Sequence, residues 1–89
     1  MSESFAGGGE VSPLRAVIEV VVRALVDHPD AVTVTETERR GMSVLELKTA
    51  PGDMGKIIGR QGRTAAALRT LLAVTAEKHG KRAQLDIKD

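Results

Sequence analysis

Between Ile57 and Arg63 the chain reads Ile-Ile-Gly-Arg-Gln-Gly-Arg, and this stretch constrains the fold more than any other. Helical spacing runs on both sides of it. Glycine in a helix interior costs roughly 1 kcal/mol relative to alanine, and it takes left-handed backbone readily. Two glycines this close therefore mark a turn between two helices. Such a turn can bring its backbone against a phosphate chain, because neither glycine carries a Cβ. Taken alone, Gly59 and Gly62 also read as a helix cap and a tight turn, and both readings stay open at this point.

The rest of the chain supplies the frame. Residues 1–10 hold Gly7-Gly8-Gly9 and few apolar groups, the composition of a flexible tail. Ser12 offers an N-cap and Pro13 suits the first helical position. Leu14, Val17, Ile18, Val21, Val22 and Leu25 follow at spacings of three and four, one face of a helix that Pro29 ends with Asp27 and His28 in its last turn. Ala31 to Thr37 alternates, with Val32 and Val34 on one side and threonines on the other, which predicts a strand. Glu38 to Gly41 reads as a turn and Ser43 to Thr49 as a second strand, together an antiparallel hairpin. Ala50 to Asp53 breaks that strand and opens a short helix over Met54 to Ile58. After Gly62 a long helix runs to about His79 on an Ala65, Leu68, Leu72, Ala76 stripe, with Gly80 placed for a left-handed cap. Arg82 to Lys88 alternates again. The order is α-β-β-α-α-β in one domain over residues 11–89, an α+β fold with no internal repeat.

Composition narrows the function classes. The 89 residues include no cysteine, which excludes disulfides, thiol catalysis and cysteine-based zinc sites, and fits a reducing compartment. The N-terminus lacks a signal-peptide pattern, and no apolar run is long enough to span a bilayer, so the expected location is cytoplasmic. Phe5 is the only aromatic residue. Modules that stack bases on exposed rings are therefore disfavoured, and a nucleic-acid binder built from this chain would use aliphatic surface and backbone contacts. The net charge of +1 is unevenly spread: residues 1–55 net −4, whereas residues 56–82 net +6. Such a segment can attract a polyanion or can be a solvated helix face; charge alone does not choose.

The loop Gly59-Arg60-Gln61-Gly62 between two helices, set in this element order, resembles the KH domain of type II topology. The match extends to Asp27-His28-Pro29, Ala50-Pro51, Asp53-Met54-Gly55-Lys56, Ile58 to Arg63 and Leu68-Arg69, words similar to those of the small bacterial single-KH RNA-binding proteins of the KhpA family. It covers about residues 12 to 88. Gly52 departs from it, standing where an acidic residue is common, and the Gly-rich tail has no counterpart. The resemblance implies a three-stranded sheet covered on one face by three helices. It also implies single-stranded RNA binding in the bacterial cytoplasm, an RNA-chaperone or post-transcriptional role, a second KH protein of the KhpB (Jag) type as partner or self-association, and a link to cell shape and envelope growth.

In that reading the RNA-binding residues are Lys56, Ile58, Gly59, Arg60, Gln61, Gly62 and Arg63. The start of the long helix offers partial positive charge to a phosphate, and the basic residues make binding salt-dependent. Ile58 and the helix edges form a groove for unstacked bases, closed by the second strand or the Glu38–Gly41 turn. Gly55 weakens its short helix by roughly 1 kcal/mol relative to Ala, and a close approach by a neighbouring helix or a ligand would be one reason to keep it. No cofactor or metal is expected, and no nucleophile–base set or phosphate-loop spacing points to an enzyme. The competing reading is a protein-interaction module in which the KH fold serves assembly, with the bare outer side of the long helix at Ala66, Ala67, Ala73 and Val74 as its surface.

Overall fold

The computed structural model describes residues 12–88. The tail expected over residues 1–10 lies outside the described residues, as do Val11 and Asp89. The elements are α1 (Pro13–Leu25), β1 (Thr33–Arg39), β2 (Met42–Lys48), α2 (Met54–Ile58), α3 (Arg63–Lys78) and β3 (Arg82–Lys88), with 3-10 turns at Pro29–Ala31, Pro51–Asp53 and Arg60–Gly62. This is the α-β-β-α-α-β order of the type II KH fold.

The sheet runs β1-β2-β3, with β1 antiparallel and β3 parallel to the central β2. Alternation divides its faces. Val34, Leu45, Leu47 and Leu85 turn into the core, where they meet Leu14, Ile18 and Val22 of α1, Ile57 of α2, and Leu68, Leu72 and Ala76 of α3. The core is aliphatic throughout. Each fully buried Leu or Ile in it contributes about 1.5–3 kcal/mol by leaving water, and the valines of α1 depend on this packing more than on propensity.

The ends of the elements are set by local chemistry. Ser12 caps α1 by accepting the Arg15 backbone N–H at 3.5 Å, with Pro13 in the first turn. α1 ends at Leu25, earlier than Pro29 alone dictates, because Val26 is already extended and the chain must turn before the Pro29–Ala31 turn begins. Leu25 is consequently exposed rather than part of the packed face. The hairpin turn is shorter than the Glu38–Gly41 expected: β1 continues through Arg39, and only Arg40 and Gly41 lie between the strands. Both take positive φ, 53° and 79°, as a two-residue turn requires to match the strand twist. α3 closes at Gly80 (φ 68°), where the N–H of Lys81 donates to the Ala76 carbonyl at 2.8 Å and that of Gly80 to the Glu77 carbonyl at 3.0 Å. That pair of bonds is the Schellman cap that Gly80 promised.

α3 runs back against β2, so its start lies at the Lys48 end of the sheet and its finish at the hairpin end, where Arg82 pairs with Met42. The +6 segment is thereby divided. Lys56, Arg60 and Arg63 lie at one end of the molecule, and Lys78, Lys81 and Arg82 at the other.

Candidate nucleic-acid interface

The seven expected site residues form one continuous feature, the last turns of α2, the glycine turn and the first residue of α3. Gly59 ends α2 by donating its N–H to the Gly55 carbonyl at 2.8 Å, and the Gly62 N–H donates to the Gly59 carbonyl at 3.1 Å. Gly59 has φ 75° and ψ 171°, a region essentially reserved for glycine. A Cβ there would stand 2.9 Å from the Thr64 backbone nitrogen and 2.7 Å from the Thr64 Cβ. The missing side chain at Gly59 thus makes room for Thr64. Gly62 is different: it is left-handed (φ 72°, ψ 14°), and a Cβ on it would meet nothing within 4 Å. The open approach to the backbone is at Gly62.

Between them Gln61 is also left-handed, at φ 57° and ψ 26°. An Nη–H of Arg63 donates to the Gln61 Oε1 at 3.2 Å, which leaves the Gln61 amide NH2 as a donor. Arg60, Gln61 and Arg63 are exposed. α3 begins on Gly62 with no side-chain cap and no acidic residue in its first turn. The positive end of a 16-residue helix therefore faces outward with arginines beside it rather than a carboxylate.

α2 contributes one residue to each side. Ile57 is fully buried, whereas Ile58 is 38% exposed next to the turn. Lys56 reaches Asp27 at 3.2 Å, both side chains being solvated. Gly55 is exposed with nothing within 4 Å of its would-be Cβ, so no neighbouring helix explains it. The hairpin turn at Arg40–Gly41 sits at the far end of α3, roughly 24 Å away for a 16-residue helix. It does not close a groove beside the glycine loop.

Asp53, at the entrance to α2, is 1% exposed, makes no cap bond to that helix, and reaches 25 residues back. Its Oδ2 accepts the His28 backbone N–H at 2.9 Å and lies 3.2 Å from the His28 Nδ1. Burial acts to raise its pKa. The backbone N–H groups of His28 and Asp27, with the His28 side chain, outweigh burial and hold the carboxyl below the usual aspartate range. Asp53 thus ties the α1–β1 link to the entrance of α2 and fixes the helix that carries the loop. No local spacing announces a pair this far apart.

A KH-domain model of the KhpA and KhpB proteins matches residues 15–87. This chain belongs to the KhpA/KhpB KH-domain family. Relatives named RNA-binding protein KhpA include one from Aquifex aeolicus, 46% identical over 77 residues, covering 86% of this chain and 98% of the relative. Another, from Caldanaerobacter subterraneus, is 49% identical over 70 residues, 79% of this chain and 93% of the relative. A third, from Leifsonia xyli, is 49% identical over 69 residues, 78% and 88% of the two chains. Among solved structures, a variant of Era from Aquifex aeolicus bound to GDP and aluminium fluoride matches with a TM-score of 0.55 at 19% identity. The match covers 98% of this chain and 36% of that one, and it shows a shared fold. Among the described residues no cluster of His, Cys, Asp and Glu is arranged to hold a metal, and no helix is long and apolar enough to cross a membrane.

Proposed function

We propose that this protein binds single-stranded RNA through the Gly59–Gly62 loop. One observation carries the proposal: the uncapped start of α3 opens on a left-handed glycine with free space around it, flanked by exposed Arg60 and Arg63. Donors, dipole and cations converge there on a place where a phosphate chain can lie against the backbone. Lys56 adds a third cation, exchanging its solvated pair with Asp27 for phosphate, and exposed Ile58 offers an aliphatic surface to an unstacked base. The RNA-binding names of the relatives support the same reading.

A single KH domain holds about four nucleotides, so affinity is modest and a second domain helps by raising effective concentration. The proposal therefore extends to an RNA-chaperone or regulatory role in the cytoplasm, alongside a KhpB-type KH protein or a second copy, with effects on cell shape as the family resemblance implies. The KH domain spans residues 11–89 in this reading, and no catalytic step is assigned to it.

The test is Arg60→Asp with Gln61→Asp. Aspartate tolerates left-handed backbone, so the loop at Gln61 keeps its geometry while two negative charges face the phosphate. Circular dichroism should be unchanged and RNA binding lost; a folded variant that binds RNA as the wild type does would end the proposal.

A second reading has its own observation. Val17, Val20, Val21 and Leu71 form an apolar strip where α1 and α3 lie side by side, and Val20 is 69% exposed. An assembly module would use that strip.

A further inference from the structure

We propose that the hairpin end of the sheet is a second RNA contact, taken by the backbone of a strand already held at the glycine loop; it rests on the RNA reading of that loop. The register places Arg39, Met42 and Arg82 in one row across the three strands. Strand alternation turns all three to the face that the helices leave open, since Val34, Leu45 and Leu85 occupy the other. The two exposed arginines stand about 10 Å apart, two strand spacings, on either side of half-buried Met42. Arg40 adds a third exposed cation at the turn. Among the described residues no carboxylate lies within 4.0 Å of any of the three arginines.

The carboxylates nearby are placed elsewhere. Glu36 and Glu38 project to the helix face, into a cavity shared with Arg15 and Lys81. On the open face the acidic row is Thr35–Glu46–Asp86, and the uncharged row Thr37–Val44–Gln84 stands between. Four residues of strand separate Glu46 from Met42, about 13 Å, beyond the roughly 8 Å screening length at physiological salt. The arginine row therefore keeps its positive potential.

Arg40 adds an independent sign. A two-residue hairpin turn favours Asn or Gly where φ is positive, yet a long cation occupies φ 53°. Among the described residues the only other non-glycine with positive φ is Gln61, in the glycine loop. Each basic end thus holds one side chain in backbone that costs free energy.

The two ends lie within reach of one strand. The roughly 24 Å of α3 corresponds to about seven stacked nucleotides at 3.4 Å each, and a strand needs further length to round the β3 edge onto the open face. Arg69 lies on the way, about 9 Å along α3 from Arg63, lining the β3 flank with Met42 and Gln84.

The experiment compares an oligouridylate of about four nucleotides, the span of one loop, with one of about sixteen, by fluorescence anisotropy over a salt series. Circular dichroism checks that each variant is folded. Arg39→Gln with Arg82→Gln should leave the short oligomer's affinity unchanged. It should weaken the long one severalfold and make its salt slope shallower by about 1.4, at ~0.7 per single-strand phosphate contact. Unchanged affinity and slope on the long oligomer, or an equal loss on both lengths, would overturn the proposal. The Arg60→Asp, Gln61→Asp variant serves as control: if it still binds the short oligomer, the RNA reading of the loop fails, and the hairpin proposal with it.

Discussion

Gly59 and Gly62 share a motif but differ in what each does, and substitution should separate them. At Gly59 an alanine meets the Thr64 backbone and enters a glycine-only region. At Gly62 it meets open space and carries only the left-handed penalty. Gly59→Ala is expected to cost about 2–4 kcal/mol, the strain of that region with the displacement of Thr64 added. Gly62→Ala is expected to cost about 1 kcal/mol. Urea unfolding would read both. RNA affinity should fall disproportionately at Gly62, where the new methyl points to the ligand's side; an affinity loss that only tracks stability would remove Gly62 from the clamp. Asp53 gives a pH signature. Its folded pKa is depressed, so its contribution is complete above the usual aspartate range and disappears as pH falls through the lowered value. The stability gap between the wild type and Asp53→Asn should be constant at neutral pH and close progressively below about pH 4. A gap that persists into strong acid would mean the charge of Asp53 is not what ties His28.

At the scale of elements, periodicity was a reliable guide wherever one face is buried. The Ala65, Leu68, Leu72, Ala76 stripe and the Val32, Val34 alternation stand as read, because burial is what creates such patterns. The boundaries of the hairpin were less legible. Glu38 and Arg39 look like turn residues by composition, but pairing with Ser43 and Met42 holds them in β1, since ladder bonds outweigh weak local preference. The glycine loop was visible as a motif, while its internal division of labour depends on Thr64, whose packing leaves no spacing signal. The His28–Asp53 tie was invisible for the same reason. The shortened turn makes its own prediction. Asn suits a positive-φ hairpin position far better than Arg, so Arg40→Asn should stabilise the fold by about 0.5 kcal/mol in urea unfolding. It should also weaken binding of the long oligouridylate alone. Gained stability without that loss would mean Arg40 is only an imperfect turn residue.

The whole molecule has two basic ends joined by α3, and an apolar strip along its flank. That strip meets the glycine loop: Arg63 and Thr64 line the same groove as Val21, Leu25, Ala67 and Leu71. A partner seated on the part of the strip around Val17, Val20 and Leu71 would leave both Gly62 and Arg63 uncovered, and RNA binding and assembly would then be separable. Val20 is the place to test this, because it is exposed in the middle of the strip and outside the core. An exposed change away from caps and buried groups shifts stability by no more than about 0.5 kcal/mol, so Val20→Glu should unfold at nearly the wild-type denaturant concentration. It should bind the short oligouridylate as the wild type does. In sedimentation over rising concentration, the wild type should move toward higher mass while Val20→Glu remains a single chain, because a carboxylate forced into an apolar contact is desolvated without a partner. If both sediment alike at every concentration, the strip is solvated surface, and the assembly reading falls back on the outer side of α3, where Val74 is 59% exposed.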